Sequence, residues 1–361
     1  VLRHVISVVL VTASCLLCGG AAHADETSDI GNRLIERYIH PATQQFAAAT
    51  AAVSGAVELL CREPSAARLE VARQRFGDAV GAWARVSVLR FGPLVEENRY
   101  ERIFFWPDPR GVTIRQLEQI LAKGSTDVLD AATLRGKSVA VQGLPALEFV
   151  LFGTGSDALL TGEPAGRFRC GFAAAIAVNL SQTAEDIRAA WAAGSDTARE
   201  FAHPGPHNAV YTTAEEVVAE SLKAMTTALQ FLSEAMIAPF LGREPETANP
   251  KLAPLWRSGL TLRLIATNVR AIASFYGAIG VPRMLDAERR WIDGSIDLEL
   301  RKARESLETL REPVGESVSG GPDRAALIYT VIALNSIRNT VNEQLAPALG
   351  TKVGFNALDG D

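Results

Sequence analysis

Residues 139–153 read VAVQGLPALEFVLFG and carry one acid, Glu148, in an otherwise apolar run. Pro145 marks a helix start, because the N–H that proline lacks has no intrahelical partner in a first turn. Glu148 then lies about one turn in, with Leu144, Leu147 and Leu151 recurring at helical spacing. A carboxylate carried into an apolar setting is costly unless it is hydrogen-bonded, paired, protonated or bound to a cation. Two readings follow. Either this is a capped helix start whose acid faces water, or Glu148 belongs to a polar site enclosed between helices, together with Gln142 and Gly143 just upstream.

The chain on both sides is helical in pattern. Ile30, Leu34, Ile35, Tyr38, Phe46, Val53, Val57 and Leu60 predict a helix from Asp29 to about Leu60, which Pro41 should kink or divide. Ser65 is placed to cap a second helix reaching about Leu89, and the two should form an antiparallel hairpin. Arg90 to Gly111, RFGPLVEENRYERIFFWPDPRG, mixes prolines, glycines, charges and aromatics, as an ordered loop with short helical turns does. A short helix over Thr113–Leu121 and a long one over Arg167–Ala193 follow. The helix-breaking HPGPHN segment ending at Asn208 marks a domain boundary. Beyond it, four long helices are expected, beginning near Thr212 or Thr213, Pro254, Ala287 and Asp323, with short connections. Period-two alternation is almost absent. The expected fold is all-α, with two domains each related to a four-helix bundle in a duplicated arrangement. The first covers residues 25–200 with an irregular insertion at 90–165, the second residues 205–361.

Composition narrows the classes. The chain has 361 residues, 48% hydrophobic and 21% charged, which suits a globular body and argues against extensive disorder. A net charge of −5 with interspersed signs leaves no basic face for nucleic acid. Residues 1–24 have the layout of a signal peptide: Arg3 and His4, an apolar run to Cys18, then Ala22-His23-Ala24 before the expected cleavage. Export to a bacterial periplasm follows, with no transmembrane span once the signal is removed. Lipoprotein anchoring at Cys15 is the weaker reading, because Thr12 is polar. Cys61 and Cys170 remain, as one disulfide or as two buried thiols.

Further polar residues invite a functional reading. Ser258, Thr261, Arg263 and Asn268 interrupt an apolar run, and Arg263 could hold a carboxylate or an anionic ligand with its planar fork. Asn335, Arg338, Asn339 and Asn342 share one helical face, which is either solvated or turned toward a site. His40 precedes Pro41 and is read as a structural residue or a metal ligand. In Trp106-Pro107-Asp108-Pro109-Arg110 two prolines hold Trp106, Asp108 and Arg110 in fixed relation, as binding or docking requires. HExxH, GxSxG, P-loop and dinucleotide motifs are absent. His203 and His207 flank Pro-Gly-Pro, so no helix can bring them onto one face.

Taken in order, ERYIHPA, RYERIFFWPDPRG, QGLPALEFVLFG, SGLTLRLIATNVRAI and the terminal GFNALDGD resemble the imelysin-like family of insulin-cleaving peptidases and iron-regulated periplasmic proteins. The resemblance spans nearly all of the chain after the signal. It implies two helical domains with a polar site where they meet. The family signature GxHxxE falls on Gly143 and Glu148, but Pro145 occupies the histidine position and removes a nitrogen donor. The expectation is therefore a periplasmic, non-catalytic binding protein linked to iron or metal acquisition. Its site would comprise His40, Trp106, Asp108, Arg110, Gln142, Gly143, Glu148, Ser258 and Arg263. Glu148 and His40 are the candidate ligands for a divalent or ferric metal ion, and an envelope uptake system is the expected partner. A metallopeptidase using Glu148 and a partner-binding scaffold are the alternatives.

Overall fold

The computed structural model describes residues 29–354. The signal peptide expected over residues 1–24 lies outside the described residues, as does all of the terminal motif after Gly354. Among the described residues every regular element is helical.

Helix α1 runs through Ile30–Leu34, Ile35–Ile39 and His40–Arg62, and α2 covers Ala66–Val86. The Ser65 hydroxyl accepts from the Arg68 N–H and caps α2 as its position predicts. Short helices α3 (Arg99–Ile103), α4 (Val112–Lys123) and α5 (Ala131–Arg135) lead into α6 (Gly143–Phe152). Helix α7 (Pro164–Ala190) then packs along α1, whose other flank holds α2. After α8 (Asp196–Ala202) come α9 (Ala214–Leu241) and α10 (Thr261–Ile279). Helix α11 (Arg290–Leu307), α12 (Val314–Val318) and α13 (Gly321–Thr340, continued by Val341–Leu345 and Ala346–Ala348) complete the chain. In the second half α13 packs on α11 and α9, and α10 lies against both α11 and α2. The buried apolar side chains join into one core that runs without a break past residue 205. Helix α9 and the stretch Thr261–Arg283 are long and apolar enough to cross a membrane, yet 78% and 61% of their apolar windows are buried inside the fold.

Pro41 does not divide the first helix. Three π-turns, Ile35–Ile39 in α1, Phe231–Ile237 in α9 and Val341–Leu345 in α13, each end two residues before a proline: Pro41, Pro239 and Pro347. A proline inside a helix lacks an N–H, and its ring crowds the carbonyl four residues back. Widening one turn gives that carbonyl room without ending the helix.

Buried arginines close helix C-termini elsewhere. Arg33 donates to the Ile279 carbonyl at the end of α10, and Arg324 donates to Leu241 and Gly242 at the end of α9. Each is at most 5% exposed. A helix C-terminus presents unpaired carbonyls and a partial negative charge, so a guanidinium satisfies both at once. Cys61 at the end of α1 and Cys170 in α7 form a disulfide with a Cα–Cα separation of 5.5 Å. Of the two readings the sequence allowed for these cysteines, the bridge is the one realised.

The helix expected from Pro254 begins only at Thr261. Residues 253–260 form an irregular turn in which Leu255 (φ +57°) and Gly259 (φ +64°) adopt left-handed backbone. That difference decides the geometry of the site.

Candidate functional site

Helix α6 is fixed at both ends. At its start Gly143 has φ +75°, and a Cβ there would lie 2.3 Å from the Arg102 carbonyl oxygen and 2.4 Å from that of Ile103. Only glycine fits such a close approach of backbone to backbone. Gln142 precedes it, with its side-chain amide donating to the Lys137 and Leu134 carbonyls and accepting from Asn179 Nδ2 at 2.9 Å. At the far end Arg169 donates to the Phe149 and Val150 carbonyls, and Arg73 donates to that of Leu151. The last-turn acceptors of α6 are thereby satisfied by α7 and α2.

So held, α6 carries Glu148 into the interior, where it is 4% exposed. Its Oε1 accepts from the Ser258 backbone N–H and from the Ser258 hydroxyl, both at 2.9 Å. The backbone donor is free because residue 258 precedes α10 instead of lying within it. Burial pushes the Glu148 carboxyl above the usual carboxylate range, while the Ser258 hydrogen bonds and the nearby Arg257 charge act in the opposite direction. Arg257 sits over the Trp256 ring at 4.4 Å and the Phe149 ring at 5.5 Å. Burial lowers its pKa, partly offset by Glu148 and Glu118.

Glu148 lines a cavity of about 750 Å³ between the segment 104–114, α6, α9 and the 251–257 turn. The walls are largely aromatic and aliphatic, including Phe104, Trp106, Pro145, Phe231, Leu255 and Trp256. Charge enters through Glu148, Arg257, Lys251, Glu234 and Asp108. Trp106 is anchored by its indole N–H, which donates to the Ala235 carbonyl at 3.0 Å. Pro239, four residues after Ala235, has no N–H to offer that oxygen. Asp108 accepts from the Val112 and Thr113 backbone N–H groups at 2.8 Å each, so its carboxylate is committed to capping α4. Arg338, from the polar stripe of α13, donates to Glu234 at 2.8 Å and ties that stripe to the cavity wall.

Of the residues singled out from sequence, Trp106, Asp108 and Glu148 line this cavity, and Ser258 holds Glu148 from behind. The others lie elsewhere. His40 Nε2 is 2.6 Å from the Trp191 carbonyl, and His40 does not line the cavity. Arg110 is exposed, and its carbonyl accepts from Arg115. Arg263 is half-exposed on the α2–α10 seam, 3.8 Å from Asp78. Gln142 and Gly143 position α6 without lining the cavity. The pairing of His40 with Glu148 as metal ligands is therefore not formed. Pro145 supplies no donor, and no group of three His, Cys, Asp or Glu residues with metal-ligating geometry occurs among the described residues. These side chains do not fit a resident transition metal, which needs three or four converging donors. Arg257, Glu234, Lys251, Phe231 and Trp256 were missed. Arg257 and Trp256 directly precede the flagged Ser258, but the expected helix hid their turn.

A sequence profile described as imelysin matches residues 38–344. Iron-regulated protein A of Synechococcus elongatus is 19% identical over 340 residues, covering 91% of this chain and 88% of that protein. An imelysin-like protein of Psychrobacter arcticum superposes with a TM-score of 0.75 at 17% identity, covering 92% of this chain and 98% of its own. A protein of Parabacteroides distasonis described as an iron-regulated protein A precursor gives a TM-score of 0.69 at 14% identity, covering 88% and 95%. At such identities the solved structures establish the shared all-α fold.

Proposed function

Because the chain belongs to the imelysin family, we propose that it is an exported, non-catalytic binding protein that serves iron or other metal acquisition and takes its ligand in the Glu148 cavity. The observation that carries this reading is the cavity itself: an aromatic-walled space of about 750 Å³ with one deeply buried carboxylate held in place by Ser258. Small-molecule sites have this composition, mostly apolar with a few placed polar groups. The ligand class that fits has an apolar or aromatic body and a hydrogen-bond donor or cationic group that meets Glu148. A metal served by such a site would arrive within an organic complex, since no cluster of donors able to hold a bare ion occurs among the described residues. The iron link draws on the names of the two iron-regulated relatives. The Cys61–Cys170 bridge and the signal-like N-terminal layout support the periplasm, where disulfides persist. An envelope uptake system is the partner such a protein would serve.

The test is native mass spectrometry with elemental analysis on protein isolated from the envelope of the cells that make it. The expected result is a bound organic mass, retained in His40→Ala and lost in Trp106→Ala and Glu148→Ala variants that remain folded by circular dichroism. Chelator-sensitive cleavage of an unfolded protein substrate, abolished by Glu148→Ala, would overturn this reading in favour of a metallopeptidase. An empty cavity in freshly isolated protein that no envelope extract fills would equally remove it.

A further inference from the structure

A second cavity, of about 190 Å³, lies where α1, α2 and α10 meet and shares no lining residue with the first. Its charged lining is entirely basic: Arg37 from the π-turn of α1, Arg85 from the last turn of α2 and Arg270 from α10. No carboxylate lines it, and none of these three guanidinium groups forms an ion pair among the described residues. Asp78, two turns before Arg85 on α2, is engaged by Arg75 and Arg263, and Glu36, beside Arg37 in the π-turn, is exposed and does not line the cavity.

The neutral groups around the cavity are already directed. Tyr38 donates its hydroxyl to the Arg85 carbonyl at 2.8 Å. Thr267 donates to the Arg263 carbonyl and accepts from Arg270 Nη2 at 3.0 Å, which orients that guanidinium. Ser274 donates to the Arg270 carbonyl. The groups left to meet a ligand are therefore guanidinium N–H donors. Like charges gathered around one concavity repel unless an anion sits between them. Planar guanidinium forks match the oxygens of phosphate, and several converging on one group add both strength and direction. The space is enough for one small polyatomic anion with some of its hydration.

We propose that Arg37, Arg85 and Arg270 form an anion site for a phosphate group, either free inorganic phosphate or the phosphate of a lipid headgroup. The proposal rests on this arginine constellation and is independent of what occupies the Glu148 cavity.

The experiment uses the full chain and two probes, inorganic phosphate and vesicles. Thermal unfolding and calorimetric titration with sodium phosphate are compared with sodium chloride at equal ionic strength. Phosphate is expected to raise Tm and to give a saturable binding heat, while chloride gives neither. Arg37→Gln and Arg270→Gln should each weaken phosphate binding by about ten- to a hundredfold. Arg37→Lys, which keeps the charge but loses the fork, should fall between wild type and Arg37→Gln. Because these side chains are exposed and repel one another, Tm in chloride should not fall, which separates lost binding from lost folding. Sedimentation with phosphatidylglycerol vesicles but not phosphatidylcholine vesicles, reversed by phosphate, supports the site with a headgroup as its source. Saturable phosphate binding without sedimentation supports it with free phosphate. Equal responses to phosphate and chloride, or unaltered phosphate affinity in the Arg37→Gln/Arg270→Gln double variant, would overturn it.

Discussion

Replacing Ser258 with alanine removes the hydroxyl that donates to Glu148 Oε1 at 2.9 Å and leaves the backbone N–H donor in place. A hydrogen bond to a charged acceptor is worth about 1.5–3 kcal/mol, and one to a neutral acid about half that. The cost should therefore depend on whether Glu148 is ionised. Burial already holds the folded-state pKa of Glu148 above its unfolded value. The favourable contribution of the protonated acid is thus fully present below the unfolded value and is lost as pH rises through the folded one. Ser258→Ala removes an influence that favours the charged form, so the folded pKa rises further and more stability is lost on the alkaline side. Urea unfolding of wild type, Ser258→Ala and Glu148→Gln between pH 4 and about pH 9 measures this directly. The wild-type minus Ser258→Ala gap should be about 1 kcal/mol at the acid end and widen to about 2–3 kcal/mol at the alkaline end. Glu148→Gln cannot ionise, so its stability relative to wild type should climb as pH increases. A gap that stays constant with pH, or a Glu148→Gln variant that loses stability with pH as steeply as wild type, would refute the assignment of Glu148 as the titrating buried group.

Other variants test the scaffold around it. Cys61→Ser/Cys170→Ser opens a closure of 109 residues, for which loop entropy gives about 4–5 kcal/mol of lost stability in chemical denaturation. Gly143→Ala forces a Cβ against two backbone carbonyls at positive φ, and should cost about 2–5 kcal/mol by the same assay, with soluble yield falling accordingly. Trp106→Phe keeps the apolar wall but leaves the Ala235 carbonyl without the indole donor; a loss of about 1–3 kcal/mol and faster proteolysis of the 104–111 segment are expected.

The helices were legible because apolar spacing and caps are local signals: Ser65 caps α2, and α9 opens after Thr213, where the sequence puts them. Glu148 was legible for a related reason, since a lone acid in an apolar helix must find partners. Ser258 stands among the residues the sequence offers, but its backbone N–H as a second donor does not. Extending α10 back to Pro254 would have committed the Ser258 N–H to the helix, and only the left-handed backbone at Leu255 and Gly259 frees it. His40 misled because its neighbour Pro41 signals an interruption, whereas the π-turn carries the helix onward and His40 meets the Trp191 carbonyl. Gln142, expected to belong to the binding site, does not line the cavity; its amide organises the backbone at residues 134–138. Arg263 is explained by Gly77 and Gly81 of α2, whose missing side chains leave a shelf on which its guanidinium lies. Such pairings depend on elements far apart in the chain, and no local pattern encodes them.

The proline of α9 has a reach beyond its own helix. By withholding one hydrogen at position 239, it leaves an oxygen on the C-terminal half open to a tryptophan from the N-terminal half. A fastening between distant parts of the chain is thus written as a deletion on one strut and an aromatic hook on the other. Restoring the hydrogen with Pro239→Ala would let the helix reclaim its own acceptor, and the hook would have to compete for it. The residue that looks like a flaw in the helix is what lets the wall of the cavity be latched.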